Sequence, residues 1–191
     1  MCVPMIALCL LAGCSTAEKE TVDLREQYCD MVACEMEAEV TCEQAGAEWS
    51  GTLACTYVPG GESVVEVLAP AHIAGVRAAV RDTDWQLEYG EVCLDAGPLS
   101  REEVSPALCL PRLMNALRDG WLLEENEETW GEEPCLRLCV DQTGLRDGKI
   151  ISTVWLRRSD GAPVRGEVSV DGEKILTAEF TRFAFCDTIT K

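Results

Sequence analysis

The sequence predicts an α+β domain: a long antiparallel sheet interrupted by helical segments. Three observations carry this. From about Cys34 onward most segments alternate apolar and polar residues with a period of two. Tight-turn signals such as Pro59-Gly60-Gly61, Ser159-Asp160-Gly161 and Asp171-Gly172 separate those segments. Only two stretches switch to the helical period.

Taken in order, Met1 to Cys14 (MCVPMIALCLLAGC) is an apolar run too short to span a bilayer as a stable helix. It reads as an export signal closed by small residues. Its ending, Leu11-Ala12-Gly13-Cys14, resembles the bacterial lipobox, in which the chain is cut before the cysteine and the thiol receives a diacylglycerol. Ala12 and Gly13 leave room for the peptidase, and Cys14 supplies the sulfur. The run carries no Lys or Arg at its front, so the positive charge usual there comes either from the bare amino terminus or from residues upstream. Ser15 to Thr21 is polar and reads as a solvated tether. The expected organisation is a signal peptide over 1–13, the lipidated cysteine and tether over 14–21, and one domain over 22–191.

Glu18 to Glu37 reads as a helix, with Leu24, Tyr28, Met31 and Val32 on one face. Met36, Ala38, Val40 and Cys42 then alternate with polar partners as a half-buried strand. Gln44 to Ala47 turns the chain, Glu48 to Val58 returns, and Ser63 to Ala69 follows, which makes a meander. Pro70 to Gly75 is a loop. Val76–Arg81, Trp85–Tyr89 and Val92–Asp95 are short strands, closed by Gly97-Pro98. Ser100 to Asp119 is the second helical region. Ser100 with Glu103 fits a capping box, Ser105-Pro106 fits a cap followed by proline at the first position, and Leu110, Leu113, Met114 and Leu117 form an apolar stripe. Pro111 implies a kink or a fresh start. Glu124 to Glu133 (EENEETWGEE) reads as a strand end and a solvated hairpin. Cys135–Val140, Lys149–Arg157, Pro163–Val170 and Glu173–Phe185 complete the sheet.

Charge narrows the function classes. Lys plus Arg is 16 against 34 Asp plus Glu, a net −18. That argues against nucleic acid and against binding to anionic headgroups, so membrane association would come through lipidated Cys14. Of 12 cysteines, nine follow Cys14, an odd number that cannot all pair within one chain. Disulfides or free thiols are both open, depending on redox compartment. Cys42 and Cys55, on neighbouring strands of the first hairpin, are the pair most worth testing.

Catalytic signals are absent. His72 is the single histidine, in a Pro-Ala-His-Ile loop, and reads as a surface residue. Cys135-x3-Cys139 puts two thiols on one strand face, read as core-facing rather than as a metal half-site. The Glu124-Glu125, Glu127-Glu128 and Glu132-Glu133 pairs read as a solvated face rather than as acid/base pairs. No phosphate-binding loop or nucleophile elbow is present. The expectation is no enzyme, no cofactor and no metal.

The stretches VEVLAPAHIAGVRAAV and LEYGEVCLDAGPLS, the Ser-Pro-led Leu-rich helix, and WLRRSDGAPVRGEVSVDGEKILTAEFTRF come in an order that resembles a known family. It is that of the LolA-like (lipoprotein-carrier fold) lipoproteins of Gram-positive, often spore-forming anaerobes, which include germination lipoproteins. The resemblance covers roughly Cys29 to Thr188. It implies a strongly curved antiparallel sheet, a half-open barrel, with two helical segments on its concave side over an apolar cavity. Residues that would line that cavity are Val65, Val67, Trp85, Leu87, Leu113, Leu117, Trp155, Leu156 and Phe180; the alternative is that they simply fill the core. The function expected is a membrane-anchored, extracytoplasmic binding lipoprotein holding an acyl chain or other apolar ligand. Its rival is an envelope interaction protein, of the sporulation or germination type, with a protein partner and no ligand.

Overall fold

A computed structural model describes residues 24–44, 47–81, 84–98, 104–143 and 149–188. The expected signal peptide, Cys14 and the tether lie outside the described residues, as do the Ser100–Glu103 capping box and the centre of the first hairpin turn. A short helix, α1 (residues 24–30), leads into six strands: β1 (Ala33–Gln44), β2 (Ala47–Tyr57), β3 (Glu62–Ala69), β4 (Arg77–Arg81), β5 (Asp84–Tyr89) and β6 (Val92–Pro98). Helix α2 (Pro106–Asp119) follows, then β7 (Trp121–Trp130), β8 (Glu133–Asp141), β9 (Ile150–Arg157), β10 (Pro163–Val170) and β11 (Glu173–Cys186).

All described strands form one antiparallel sheet in the order β6-β5-β4-β3-β2-β1-β11-β10-β9-β8-β7. The chain winds out from β1 to one edge, crosses on α2 to the other edge, and winds back until β11 pairs with β1. The edges β6 and β7 do not meet, so the barrel stays half open. Helix α2 touches seven contiguous strands, β3-β2-β1-β11-β10-β9-β8. Laid flat they would span about 29 Å, whereas the helix is about 21 Å long; the sheet curves around it.

Strand register divides the side chains between two faces. Met36, Ala38, Val40, Leu53, Cys55, Val65, Leu136, Leu138, Val154, Leu156, Val168, Leu176 and Ala178 are buried on the concave face. The α2 stripe packs on them, and Leu110, Leu113, Met114 and Leu117 are each 0% exposed. Every such side chain is worth ~1.5–3 kcal/mol by burial. The helix approaches so closely that a Cβ on Gly166 would lie 2.5 Å from Leu113 Cδ1. Any larger residue there would force the Leu113 side chain to shift.

The helix ends are held. Pro106 occupies the first turn of α2 after Ser105, whose side chain makes no capping bond. Pro111 lies inside a continuous helix, not at a new start. At the other end Gly120 N–H donates to Ala116 O at 3.0 Å. Arg25 of α1 donates Nε–H to Leu117 O at 2.8 Å and also reaches Gly120 O, satisfying carbonyls that a helix C-terminus leaves open. Tyr28, fully buried, donates its hydroxyl to Gly161 O at 2.6 Å and packs edge-on against Phe185. One short helix thus ties α2 to β11 and to the β9–β10 turn.

Two elements depart from expectation. The first helix stops by residue 30, and Ala33 already pairs with Cys186 in the sheet, so Val32 is 47% exposed rather than on a buried stripe. The acidic run, expected as a strand end and a solvated hairpin, is a mostly exposed hairpin arm that is strand for longer than expected: β7 extends ten residues to Trp130 and turns at Gly131-Glu132. Its carboxylates are neutralised across the sheet. Arg137 lies 3.5 Å from Glu124 and 3.7 Å from Glu128, and Arg158 pairs with Glu127.

Candidate functional site: an apolar trough on the concave face

Beyond β3 the concave face leaves the cover of α2. Register places Val65, Ala78, Leu87 and Leu94 side by side in one row across β3, β4, β5 and β6. Val80 and Trp85 form the row on one side of it, and Tyr89 with Val92 the row on the other. Exposure climbs along the central row: Val65 and Ala78 are 2% exposed, Leu87 is half-buried, and Leu94 is 59% exposed. Tyr89 and Val92 are also more than half exposed. The result is an apolar strip that starts in the core and runs out to the β6 edge.

The strip forms because two-residue turns lock the register. Gly90, at φ +60°, takes the first central position of the β5–β6 turn, the type II′ geometry that matches strand twist. A one-residue slip would put Glu88 and Cys93 in the trough instead. Those two point to the convex face, where Glu88 faces Arg77.

The residues expected to line a cavity fall into three groups. Val67, Trp85, Leu87 and Phe180 are half-buried against the core. Val65, Leu113, Leu117 and Leu156 are buried within it. Trp155 is a correction: as the neighbour of Leu156 in a strand it points the opposite way. It lies on the convex face between Arg137 and Arg165, whose guanidinium carbons are 5.8 and 5.9 Å from its ring, and its Nε1–H donates to Glu128 at 2.7 Å. Sequence reasoning missed Val80, Tyr89, Val92 and Leu94. Counting outward from the Gly90-Glu91 turn pairs Leu94 with Leu87 and would have found them.

The cysteines are further corrections. Cys42 lies opposite Trp49 and Cys55 opposite Met36. That is six positions apart along the hairpin, ~20 Å at the strand rise, whereas a disulfide needs Cα atoms within ~7 Å. Both are free thiols, as are the other seven from Cys29 onward. Cys135 and Cys139 do share a face, but it is the convex one, opposite Arg157 and Thr153, and not the core. Among the described residues no group of three or more His, Cys, Asp or Glu is placed to hold a metal ion. His72 is exposed in the turn after β3.

Burial pushes the Cys34 thiol up to about 12 and also raises Cys55 and Cys109. A thiol held protonated and out of solvent is inert. In the native protein at neutral pH, maleimide is therefore expected to modify Cys29 and Cys93, both exposed, and to leave Cys34, Cys55 and Cys109 intact until denaturant is added. Peptide mass mapping reads this directly; rapid native labelling of Cys109 would contradict the packing described.

No protein-family model matches the chain. No curated protein matches it either. Solved structures do. A LolA superfamily protein, NE2245 from Nitrosomonas europaea, superposes with a TM-score of 0.51 at 11% identity, covering 90% of this chain and 94% of that one. LprF from Mycobacterium bovis gives 0.51 at 12% identity, over 92% and 96%. The GerS lipoprotein of Clostridioides difficile, solved in complex with the CwlD amidase, gives 0.38 at 16% identity over 93% and 100%, too low a score to carry an argument. Open sheet, strand order and crossing helix together are the LolA-like fold, and this chain has it.

Proposed function

We propose that the protein is a lipid-anchored, extracytoplasmic binding protein, tethered through Cys14, which holds an acyl chain or similar apolar ligand without catalysing a reaction on it. One observation carries this: the continuous row Val65–Ala78–Leu87–Leu94, which passes on the concave face from full burial at β3, where α2 packs, to open solvent at the β6 edge. An apolar strip anchored in a core and open at one end suits a chain-like guest that enters lengthwise. The LolA-like fold supports the reading by analogy of fold. Attachment is assigned to a lipid on Cys14 on the strength of the Leu11-Ala12-Gly13-Cys14 ending, with 1–13 as signal and 14–21 as tether; among the described residues no helix is long and apolar enough to cross a membrane.

Two experiments test it. Replacing Cys14 with Ala is expected to release the chain from the membrane fraction; unchanged membrane retention would contradict the anchor. Full-length protein extracted from membranes in mild detergent is expected to retain a lipid-sized mass in native mass spectrometry. Leu87→Glu, which sets a charge in the apolar strip, is expected to lower that occupancy about tenfold or more, ~1.4 kcal/mol per decade. An apo spectrum, or equal occupancy in the variant, would contradict the trough as a ligand site.

The envelope-interaction reading keeps one observation of its own. Under α2 the concave face is packed by Leu110, Leu113, Met114 and Leu117, each 0% exposed, which leaves no solvent-filled chamber against these side chains among the described residues. If the native spectrum is empty of lipid, this second reading stands.

A further inference from the structure

The two edges of the sheet are built differently. An unpaired edge is a template for another strand, and proteins guard it with charge. Edge strand β7 is guarded: Glu124, Glu125, Glu127 and Glu128 fall within its ten residues. β6 holds one carboxylate, Asp95, and its exposed stretch Val92-Cys93-Leu94 is uncharged. Val92 is 58% and Leu94 59% exposed, and no other described strand pairs with this side of β6.

We infer that the outer edge of β6 pairs, antiparallel and about Cys93, with the same strand of a second copy of this chain. The backbone is set for it. Tyr89 and Val92 close a two-residue hairpin, so they are the hydrogen-bonded pair, and the next pair, Glu88 with Cys93, is the non-bonded one. The N–H and C=O of Cys93 therefore point outward. Two such strands related by a twofold axis at Cys93 exchange both bonds there, the isologous arrangement of a symmetric dimer.

The apolar side chains at the centre match under the same operation. Val92 of one copy meets Leu94 of the other, twice, and both lie on the concave face. The apolar row Ala78–Leu87–Leu94 would then continue across the twofold axis into the second copy, so pairing covers the most exposed apolar positions of the wing. A foreign strand would need to supply this complement; the chain carries it already. The opposing term is charge: the twofold at Cys93 sets Glu91 of one copy opposite Asp95 of the other, twice, and each copy carries −18. Dimerisation should therefore strengthen as added salt screens the repulsion. The inference does not depend on any ligand in the trough.

The test uses the full chain in detergent, by sedimentation equilibrium at low and high salt. The expected result is a monomer–dimer equilibrium that shifts toward dimer with salt. Leu94→Lys, which guards the edge, should weaken it at least tenfold, and Leu123→Lys, at an exposed position of β7, should leave it unchanged. A short bis-maleimide should cross-link the dimer through Cys93, with the product lost in Cys93→Ser and kept in Cys29→Ser. A chain that stays monomeric at both salts overturns the inference, as does a dimer indifferent to Leu94→Lys or cross-linked through Cys29 alone.

Discussion

Leu113→Ala is expected to destabilise the fold by about 2–5 kcal/mol, the cost of removing a buried leucine side chain and leaving a cavity. Leu113 is 0% exposed at the middle of the α2 stripe and lies against the bare backbone of Gly166 on β10. Helix α2 reaches across the sheet, touching β1–β3 on one side and β8–β11 on the other. Losing its central contact therefore loosens the whole curvature. Urea unfolding measures the effect. A paired variant sharpens it: Gly166→Ala alone forces a Cβ to 2.5 Å from Leu113 Cδ1 and should destabilise. In the Leu113→Ala background the obstructing methyls are gone, so the double variant should lose at least ~1 kcal/mol less than the sum of the two singles. Strict additivity would mean the contact is not made.

Alkaline pH is expected to destabilise the protein from about pH 9 upward, where its carboxylates are already fully ionised. Burial raises the thiols of Cys34, to about 12, and of Cys55 and Cys109, from an ordinary value of 9.0. Below about pH 9 folded and unfolded chains both keep these protons, and stability does not respond to them. Above it the unfolded chain releases protons that the folded chain holds, so stability falls as pH rises. The slope is ~1.4 kcal/mol per pH unit for each thiol, hence ~4 kcal/mol per unit for three, and for Cys34 the loss continues to about pH 12. Tyr28, buried with its hydroxyl on Gly161 O, adds to the trend because its ionisation is raised as well. Urea midpoints in reductant at about pH 8 and pH 10 should differ sharply, and Cys34→Val should flatten the difference by about one third. A midpoint that stays level across this range would contradict a reduced, buried thiol core.

Much of this fold was legible because strand patterning and turn chemistry agreed. Asp171-Gly172 closes β10 and β11 with both residues at positive φ, the type I′ turn that the dipeptide favours. Likewise Pro163–Val170 reads as a strand between two turn signals and is one. Legibility failed where one spacing served two structures. Met31, Val32 and Met36 fit a helical face as well as the entry to a strand, and pairing with β11 decided for the strand at Ala33. At β7 the strand end and hairpin were legible, but the length of the strand was not, because the partners Arg137 and Arg158 of its glutamates lie on later elements.

The candidate site was half legible. Trp85, Leu87 and Val67 could be picked from their alternation, but alternation alone does not say which of two faces a helix will cover. That ambiguity put Trp155 and Leu156 in the same cavity although they are adjacent in one strand. It also hid Leu94 and Val92, which sit at the open end of the row and belong to the edge strand. The thiols illustrate the same limit. Cys42 and Cys55 share a hairpin and a face, yet the register set by that hairpin keeps them far apart.

The measurement that bears most directly on the central claim is quenching of tryptophan fluorescence by a brominated acyl lipid. Trp85 is the one tryptophan in the trough; Trp130 and Trp155 lie on the convex face, Trp121 is 76% exposed at the start of β7, and Trp49 packs toward Gly51 on β2. A guest chain along Val65–Leu94 would bring bromine against the Trp85 indole. The account predicts saturable quenching that is abolished in Trp85→Phe and weakened about tenfold in Leu87→Glu, ~1.4 kcal/mol of binding. Quenching that persists in Trp85→Phe, or none at all with the native chain, would contradict it.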